Sequence, residues 1–364
     1  MQVNNMRKQI ISGGQLVGIM FWSISGTAII TLPTLIAIHA PRDAWTAALF
    51  FFAAGSVMCL LVGALARRLN GRDFVSLVQQ ALGIWPGKLL LIIFLVWLFH
   101  TISFIIWQMG SFISLSLLPN APFTAVLIVI ILPPVYAVYK GIEDIARCGQ
   151  IIFIPTTLTL LLLLLLHIPE VNPENLMPIL GDGISNILQA GFVTLPWAGE
   201  IVLVLFLVPY LKDSRKTARF SFITVSLIGF GGLIGEIFYT AVFGPLLQHL
   251  INPFYAIVRY IRPTAFIERY DIFFVAIILF GSFIKISLFI YIFVLCLSRV
   301  LGMTSHRPLV LPSSAGLIVL ACYSVKSLNH LLMHMDTVFP VYTTALLFGF
   351  PLLVLLVAKI RGIK

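Results

Sequence analysis

Residues 15–38 read QLVGIMFWSISGTAIITLPTLIAI, and residues 184–211 read ISNILQAGFVTLPWAGEIVLVLFLVPYL. At about 1.5 Å of rise per residue, either stretch can cross the roughly 30 Å hydrocarbon core of a bilayer as a helix. Neither has the strict apolar/polar alternation of a barrel strand. Each is interrupted near its middle. The first carries Ser23-Ile24-Ser25-Gly26-Thr27, with Pro33 beyond it, and the second carries Thr194-Leu195-Pro196-Trp197-Ala198-Gly199. Glycine weakens a helix and proline removes a backbone donor. Backbone groups freed at membrane depth must line a cavity or be covered by protein. Small residues can also serve only close helix packing. The recurrence of the interruption five spans later favours a broken helix, because paired breaks in two halves mark a binding site between repeats.

Outward from these two stretches lie eight further apolar runs, at 44–66, 88–118, 123–139, 145–167, 220–243, 270–298, 309–323 and 338–358. The polar stretch 67–87 predicts a short surface helix, and the proline-bearing stretch 244–269 an interfacial helix with a loop. Leu160 to Leu166 have no polar face and read as lipid-facing. The composition agrees: 60% of the 364 residues are hydrophobic and 10% charged, with a mean hydropathy of +1.07. A soluble domain carries roughly 25% charged residues, so this chain cannot cover a globule with polar surface. The expectation is an all-α membrane protein of ten transmembrane helices in a single transmembrane domain. Arg7 and Lys8 before an apolar run have the outline of a signal peptide. That run continues through Pro33 and is followed by many more, so it reads as the first membrane helix.

The net charge of +10 does not point to nucleic acid, because the basic residues sit in short clusters between apolar runs. With both termini inside, inner segments hold 17 of the 23 basic residues. Outer segments hold Arg42, Arg259, Arg262, Arg269 and Lys326, and Lys285 lies within a span. This positive-inside bias predicts an N-in/C-in orientation and requires an even number of spans. Cys59, Cys148, Cys296 and Cys322 lie in or beside apolar runs without CxxC spacing and read as small buried hydrophobes.

If both helices break, half-helix N-termini near Thr27 and Ala28 and near Gly199 meet close to the midplane. Their exposed N–H groups favour an anionic group such as a carboxylate. The hydroxyls of Ser25, Thr27 and Thr194 add donors and acceptors, a set suited to a small zwitterion or polar solute. Ser25, Gly26, Thr27, Ala28, Thr194, Pro196, Trp197 and Gly199 are therefore candidate binding residues. Phe104, Ile105 and Gln108 of the third span and Phe283 of the eighth are candidates for the pocket that receives the rest of the molecule. Glu200 and Lys285 are expected to face one another near mid-depth as a charge-coupling pair, since charge in the hydrocarbon core is costly. A structural reading, in which Glu200 caps a half-helix and Lys285 locks two helices, weighs equally.

Other features read more plainly. Glu236 lies in Gly231-Gly232-Leu233-Ile234-Gly235-Glu236, whose glycines are expected to form a packing surface. His330 and His334 have i, i+4 spacing beside Asp336, but in what reads as an outer loop without a second cluster, so no metal site is expected. There is no Walker motif, GxSxG elbow, HExxH or GxGxxG, and neither an enzyme nor a cofactor is expected.

Six motifs, in order along nearly the whole chain, are similar to those of the B subunits of bacterial spore germinant receptors, within the amino acid–polyamine–organocation transporter superfamily. SGTAIITLP (Ser25 to Pro33) resembles that family's glycine-rich break followed by TLP, with Ala28 where a second glycine is common. GIEDIAR (Gly141 to Arg147) resembles the turn before the fifth helix, and LMPILGDG (Leu176 to Gly183) the outer loop. PWAGE (Pro196 to Glu200) resembles a PFGE-like break with Ala198 replacing an aromatic. PYLKD (Pro209 to Asp213) resembles the inner end of the sixth helix, and FIERYD (Phe266 to Asp271) the entry to the eighth. The resemblance implies a leucine-transporter-like fold of two inverted five-helix repeats, here 1–167 and 184–358. It also implies a small nutrient germinant, often an amino acid, bound between helices one, three, six and eight, with A and C subunits as partners in the spore inner membrane. Lys285 then occupies a helix on which sodium-coupled relatives place ion ligands, where a fixed ammonium could replace the ion. A ligand-sensing receptor subunit is the leading expectation, and a proton-coupled amino-acid permease the alternative.

Overall fold

The computed structural model describes residues 9–260 and 271–363. Arg7, Lys8, Arg262, Arg269 and most of FIERYD, Phe266 to Tyr270, lie outside the described residues. Among those described, ten helical segments are long and apolar enough to cross a membrane. The helices are α1 (Gly13–His39), α2 (Trp45–Leu69), α3 (Phe74–Leu82), α4 (Ile84–Ser116), α5 (Phe123–Lys140), α6 (Ile142–Leu166), α7 (Ile184–Gly199), α8 (Val204–Leu207), α9 (Thr217–Phe243), α10 (Pro253–Tyr260), α11 (Asp271–Val300), α12 (Arg307–Ser324) and α13 (Leu328–Ile360). The sixth span, Ile184–Tyr210, is a composite: α7, a 3-10 turn at Glu200–Leu203, α8, and a second 3-10 turn at Val208–Tyr210.

Local chemistry sets the boundaries. Ser12 and Gln15 form a reciprocal capping box at the start of α1, which satisfies two backbone donors that have no partner within the helix. Asp73 caps the surface helix α3, and Ser327 caps α13 by accepting the His330 N–H at 3.2 Å. Gly141, at φ 110°, separates α5 from α6 with a conformation that a side chain would strain. The leucine run of α6 leaves Leu161, Leu162, Leu165 and Leu166 exposed, with Leu163 buried.

The packing of the first five long helices recurs among the second five. The pair α1 with α6 is matched by α7 with α13, α5 with α11 by α12 with α4, and α1 with α9 by α7 with α2. The pairs α1–α7, α2–α9 and α4–α11 map onto themselves when the halves are exchanged. The short helices α3 and α10 follow the second long helix of each half. One intimate pair, α1 with α11, has no comparable counterpart between α7 and α4.

Two expectations are overturned here. The first concerns the breaks. Helix α1 is continuous from Gly13 to His39, and α7 runs unbroken to Gly199. Gly26 instead lets α1 approach α11: a Cβ there would stand 2.6 Å from the carbonyl carbon and oxygen of Gly281. Gly199 lies against Leu347 of α13. Pro33 and Pro196 each delete one donor without unwinding the helix. Where the sixth span changes, at Glu200, it tightens to 3-10 geometry, which keeps its amides bonded. Bare main-chain donors therefore do not converge on a solute.

The second concerns residues 328–337. Helix α13 begins ten residues before the apolar run at Val338, so His330, His334 and Asp336 are helical and not in a loop. The glycines before Glu236 also pack less than expected: a Cβ on Gly231 would meet nothing within 4 Å, and one on Gly232 would only graze Ala48 at 4.0 Å.

At the face that carries the N-terminus, the segment before α1 is tied to the end of the sixth span. The Ile11 N–H donates to the Tyr210 carbonyl at 2.8 Å, and the Ile11 carbonyl accepts from the Lys212 N–H at 2.9 Å. The Gln9 side chain donates to the Lys140 carbonyl at 3.2 Å and accepts from the Ile142 N–H at 3.0 Å. At the opposite face, Asp43 and Asp182 clasp each other's turns. Asp182 accepts from the Arg42 and Asp43 N–H groups, and Asp43 from those of Leu180 and Asp182.

Candidate functional site

Five spans converge on a small buried cavity of about 20 Å³. It is lined by Thr27 of α1, Thr101, Phe104 and Ile105 of α4, Trp197 and Glu200 of the sixth span, Lys285 of α11, and Met335 and Phe339 of α13. It lies where α4 and α7 lack the close packing that α1 and α11 have. A cavity of this size holds about one water.

One wall is an ion pair. The Lys285 ammonium donates to both carboxylate oxygens of Glu200, at 2.9 and 3.0 Å. Lys285 is 1% exposed and Glu200 3%. The ammonium also sits 5.2 Å from the centroid of the Phe289 ring. Removing two charges from water costs several kcal/mol per ion, and only close mutual satisfaction offsets it. The bidentate geometry supplies that satisfaction and joins α11 to the sixth span.

Of the residues expected from sequence, Thr27, Ile105, Trp197, Glu200 and Lys285 line the cavity together, as does Phe104. Gln108 lies one turn beyond Phe104 and donates to the Thr31 hydroxyl at 2.9 Å. Thr194 is buried and bonds back to the Gly191 carbonyl at 2.7 Å. Gly26 and Gly199 are packing positions. Ala28 and Pro196 are buried, and Ser25 and Phe283 half-buried; none of these four belongs to the lining.

Sequence reasoning missed Thr101, Met335 and Phe339. Thr101, Phe104, Ile105 and Gln108 follow i, i+3, i+4, i+7 spacing and so share one face of α4. Met335 and Phe339 share a face of α13 in the same way, but the segment reads as a loop when α13 is started at Val338. Two polar atoms at or near the cavity are buried without a partner among the described residues, the Thr101 hydroxyl and the Gln108 amide oxygen. Such atoms cost free energy unless something comes to meet them.

Beside the cavity, the Tyr342 hydroxyl lies 3.2 Å from His100 Nδ1 and 3.4 Å from His334 Nε2. Phe104 packs on both imidazoles. His39 reaches Asp336 at 2.7 Å. Among the described residues no three His, Cys, Asp or Glu side chains are grouped to hold a metal ion.

Known proteins share this architecture. In fold, the chain is similar to MhsT in complex with L-phenylalanine, with a TM-score of 0.70 and 14% identity covering 94% of this chain and 90% of that one. It is also similar to a Na+-coupled sialic acid symporter in a substrate-bound outward-open state, with a TM-score of 0.64 and 14% identity covering 92% and 78%. The fold is therefore the leucine-transporter-like arrangement of ten helices in two inverted sets of five, in a multi-pass membrane protein. In sequence, spore germination protein KB of Bacillus subtilis (strain 168) is 25% identical over 343 residues, 93% of this chain and 91% of that one. The spore germination protein family matches residues 10–330. The match runs from the foot of α1 into the first turn of α13 and takes in every cavity-lining residue except Met335 and Phe339, and the chain belongs to the spore germination protein family.

Proposed function

We propose that the chain is the ligand-sensing transmembrane subunit of a spore germinant receptor and binds a small nutrient, an amino acid, in the central cavity. The observation that carries this reading is the buried Lys285–Glu200 pair in the wall of a closed cavity that five spans share. A cavity of about 20 Å³ cannot admit an amino acid unless its walls part. Ligand-free and ligand-bound states must then differ in helix position. A ligand that prefers the open arrangement shifts the population by its differential affinity.

On this reading Thr27, Ile105 and Trp197 contact the nutrient. Ser25, Gly26, Ala28, Gln108, Thr194, Pro196, Gly199 and Phe283 set the backbone and packing around it. Glu200 and Lys285 couple charge to the opening. Residues 1–167 and 184–358 are the two five-helix repeats, with both termini inside, following the bias of basic residues. The partners are the A and C subunits of the receptor, in the inner membrane of the spore, and binding triggers germination.

Spores that carry this chain as their B-type subunit test the reading against a panel of amino acids and sugars. An amino-acid response that Trp197→Ala or Phe339→Ala shifts at least tenfold in dose supports it. A response unchanged by both substitutions refutes it.

The second reading, a proton-coupled amino-acid permease, is favoured by the fold that the chain shares with a symporter. Sustained accumulation of labelled amino acid in proteoliposomes distinguishes a carrier from a sensor.

A further inference from the structure

Three side chains able to hold a metal ion, none of them used by the nutrient reading, meet between α4 and α13. The Tyr342 hydroxyl lies 3.2 Å from His100 Nδ1 and 3.4 Å from His334 Nε2. The two imidazole centroids are 5.5 Å apart. All three side chains are half-buried. Asp336, two residues beyond His334, is engaged elsewhere, by His39 at 2.7 Å.

From sequence, His330 and His334 read as loop residues without a second cluster. The fold alters both points. The two histidines lie one turn apart on one face of α13. Helix α4 brings His100 to the same place, and α13 itself brings Tyr342.

The spacing is loose for a hydrogen-bonded trio. A hydroxyl carries one proton, so Tyr342 can donate to only one imidazole at a time. Hydroxyl hydrogen bonds to oxygen are usually about 2.7–2.8 Å long, and both contacts here are longer. They fit the spacing of donors around a small ion. Zn2+ holds imidazole nitrogens at about 2.0–2.1 Å and oxygens at about 2.0–2.2 Å in a tetrahedron, which sets neighbouring donors about 3.3–3.4 Å apart. Water can take the fourth corner. Two imidazoles and a phenol suit Zn2+ or Cu2+, whereas Mg2+ and Ca2+ prefer carboxylate, carbonyl and water oxygens. His330, exposed one turn nearer the start of α13, offers an entering ion its first contact.

The site also touches the central cavity. Phe104 packs on His100 with centroids 4.4 Å apart and on His334 at 4.8 Å, and the same ring lines the cavity.

We propose that His100, His334 and Tyr342 form a site for a divalent ion of the Zn2+ or Cu2+ class, which staples α4 to α13 beside the cavity. On binding, the Tyr342 hydroxyl gives its proton to solvent and its oxygen bonds the ion, and nothing is oxidised or reduced. An ion held there fixes Phe104 and makes the cavity harder to open. That last effect rests on the reading of the cavity as a nutrient site.

The test uses the full chain in detergent, stripped of metal with a chelator, carrying no polyhistidine tag and titrated with Zn2+. A single Zn2+ per chain is expected to bind, to raise the unfolding midpoint and to produce the ultraviolet difference band of tyrosinate. His100→Gln and His334→Gln should each weaken binding at least tenfold. Tyr342→Phe should abolish the band. A folded chain with Cys59, Cys148, Cys296 and Cys322 changed to serine should bind as the parent does. The proposal is overturned if the parent shows no tyrosinate band, if binding survives His334→Gln and Tyr342→Phe unchanged, or if the cysteine-free chain loses it. Should a histidine variant not fold, Tyr342→Phe keeps the ring and decides by the band alone. In spores, Zn2+ should raise the nutrient dose needed for germination at least threefold in the parent and not in Tyr342→Phe. A dose unmoved by Zn2+ would strike the link to the cavity, while the titration needs no nutrient and judges the metal site separately.

Discussion

Gly26 and Gly281 meet backbone to backbone: a Cβ on Gly26 would stand 2.6 Å from the Gly281 carbonyl, and one on Gly281 would stand 3.0 Å from the Gly26 Cα. Ser282 adds a hydroxyl donated to the Gly26 carbonyl at 3.3 Å. Close approach of this kind is what small residues provide between membrane helices. Gly26→Ala and Gly281→Ala are each expected to destabilise the chain by about 1–3 kcal/mol through overpacking. Thermal unfolding in detergent reads the effect. Gly231→Ala, which meets open space, should leave the midpoint unchanged or raise it.

Lys285→Met strands a carboxylate that is 3% exposed. Breaking a buried pair by removing one partner costs about 3–5 kcal/mol, whereas replacing both partners with apolar groups is often neutral. The expected order of stability places Lys285→Met with Glu200→Leu well above Lys285→Met alone. Folded yield and unfolding midpoint would reveal it. Equal stability of the single and double variants would show that the two side chains are not energetically coupled. Because the pair is buried, salt should change this result little.

Thr101→Val removes a hydroxyl that has no partner among the described residues. Stability should be unchanged or improved, since a buried polar atom without a hydrogen bond is itself a cost. If that hydroxyl meets the nutrient, the dose needed for germination should rise about tenfold, which corresponds to about 1.4 kcal/mol. A normal dose–response in a stably folded Thr101→Val chain would place the nutrient elsewhere.

Asp43 is buried, and its carboxylate accepts the Leu180 and Asp182 N–H groups at 2.8 and 3.0 Å. Hydrogen bonds to a charged group contribute about 1.5–3 kcal/mol each. Asp43→Ala should therefore lower stability by a few kcal/mol. Faster amide exchange at residues 180–182 should accompany the loss and would separate it from a general loosening.

The spans were legible in the chain because bilayer thickness acts on every crossing alike, so length and hydropathy alone locate them. The chemistry at their centres was less so. Gly26 and Pro196 carry the composition of a broken helix, yet the same glycine permits a close crossing, and only the position of Gly281 decides between the two. The partnership of Lys285 with Glu200 could be anticipated because two opposite charges at one depth have few alternatives. Met335 and Phe339 were hidden for a different reason. The polar first turns of α13, with Asn329, His330, His334 and Asp336, resemble a loop until His39 is found to meet Asp336 and Tyr342 to meet His334.

Ile11 exchanges both of its backbone hydrogen bonds with the 210–212 stretch, so the foot of the first helix and the foot of the sixth are pinned together. Neither can swing away alone without tearing two main-chain bonds. A tilt of either helix drags the other, and through Gln9 it also tugs on the corner at Gly141. Movement at this end of the protein is therefore concerted across both halves.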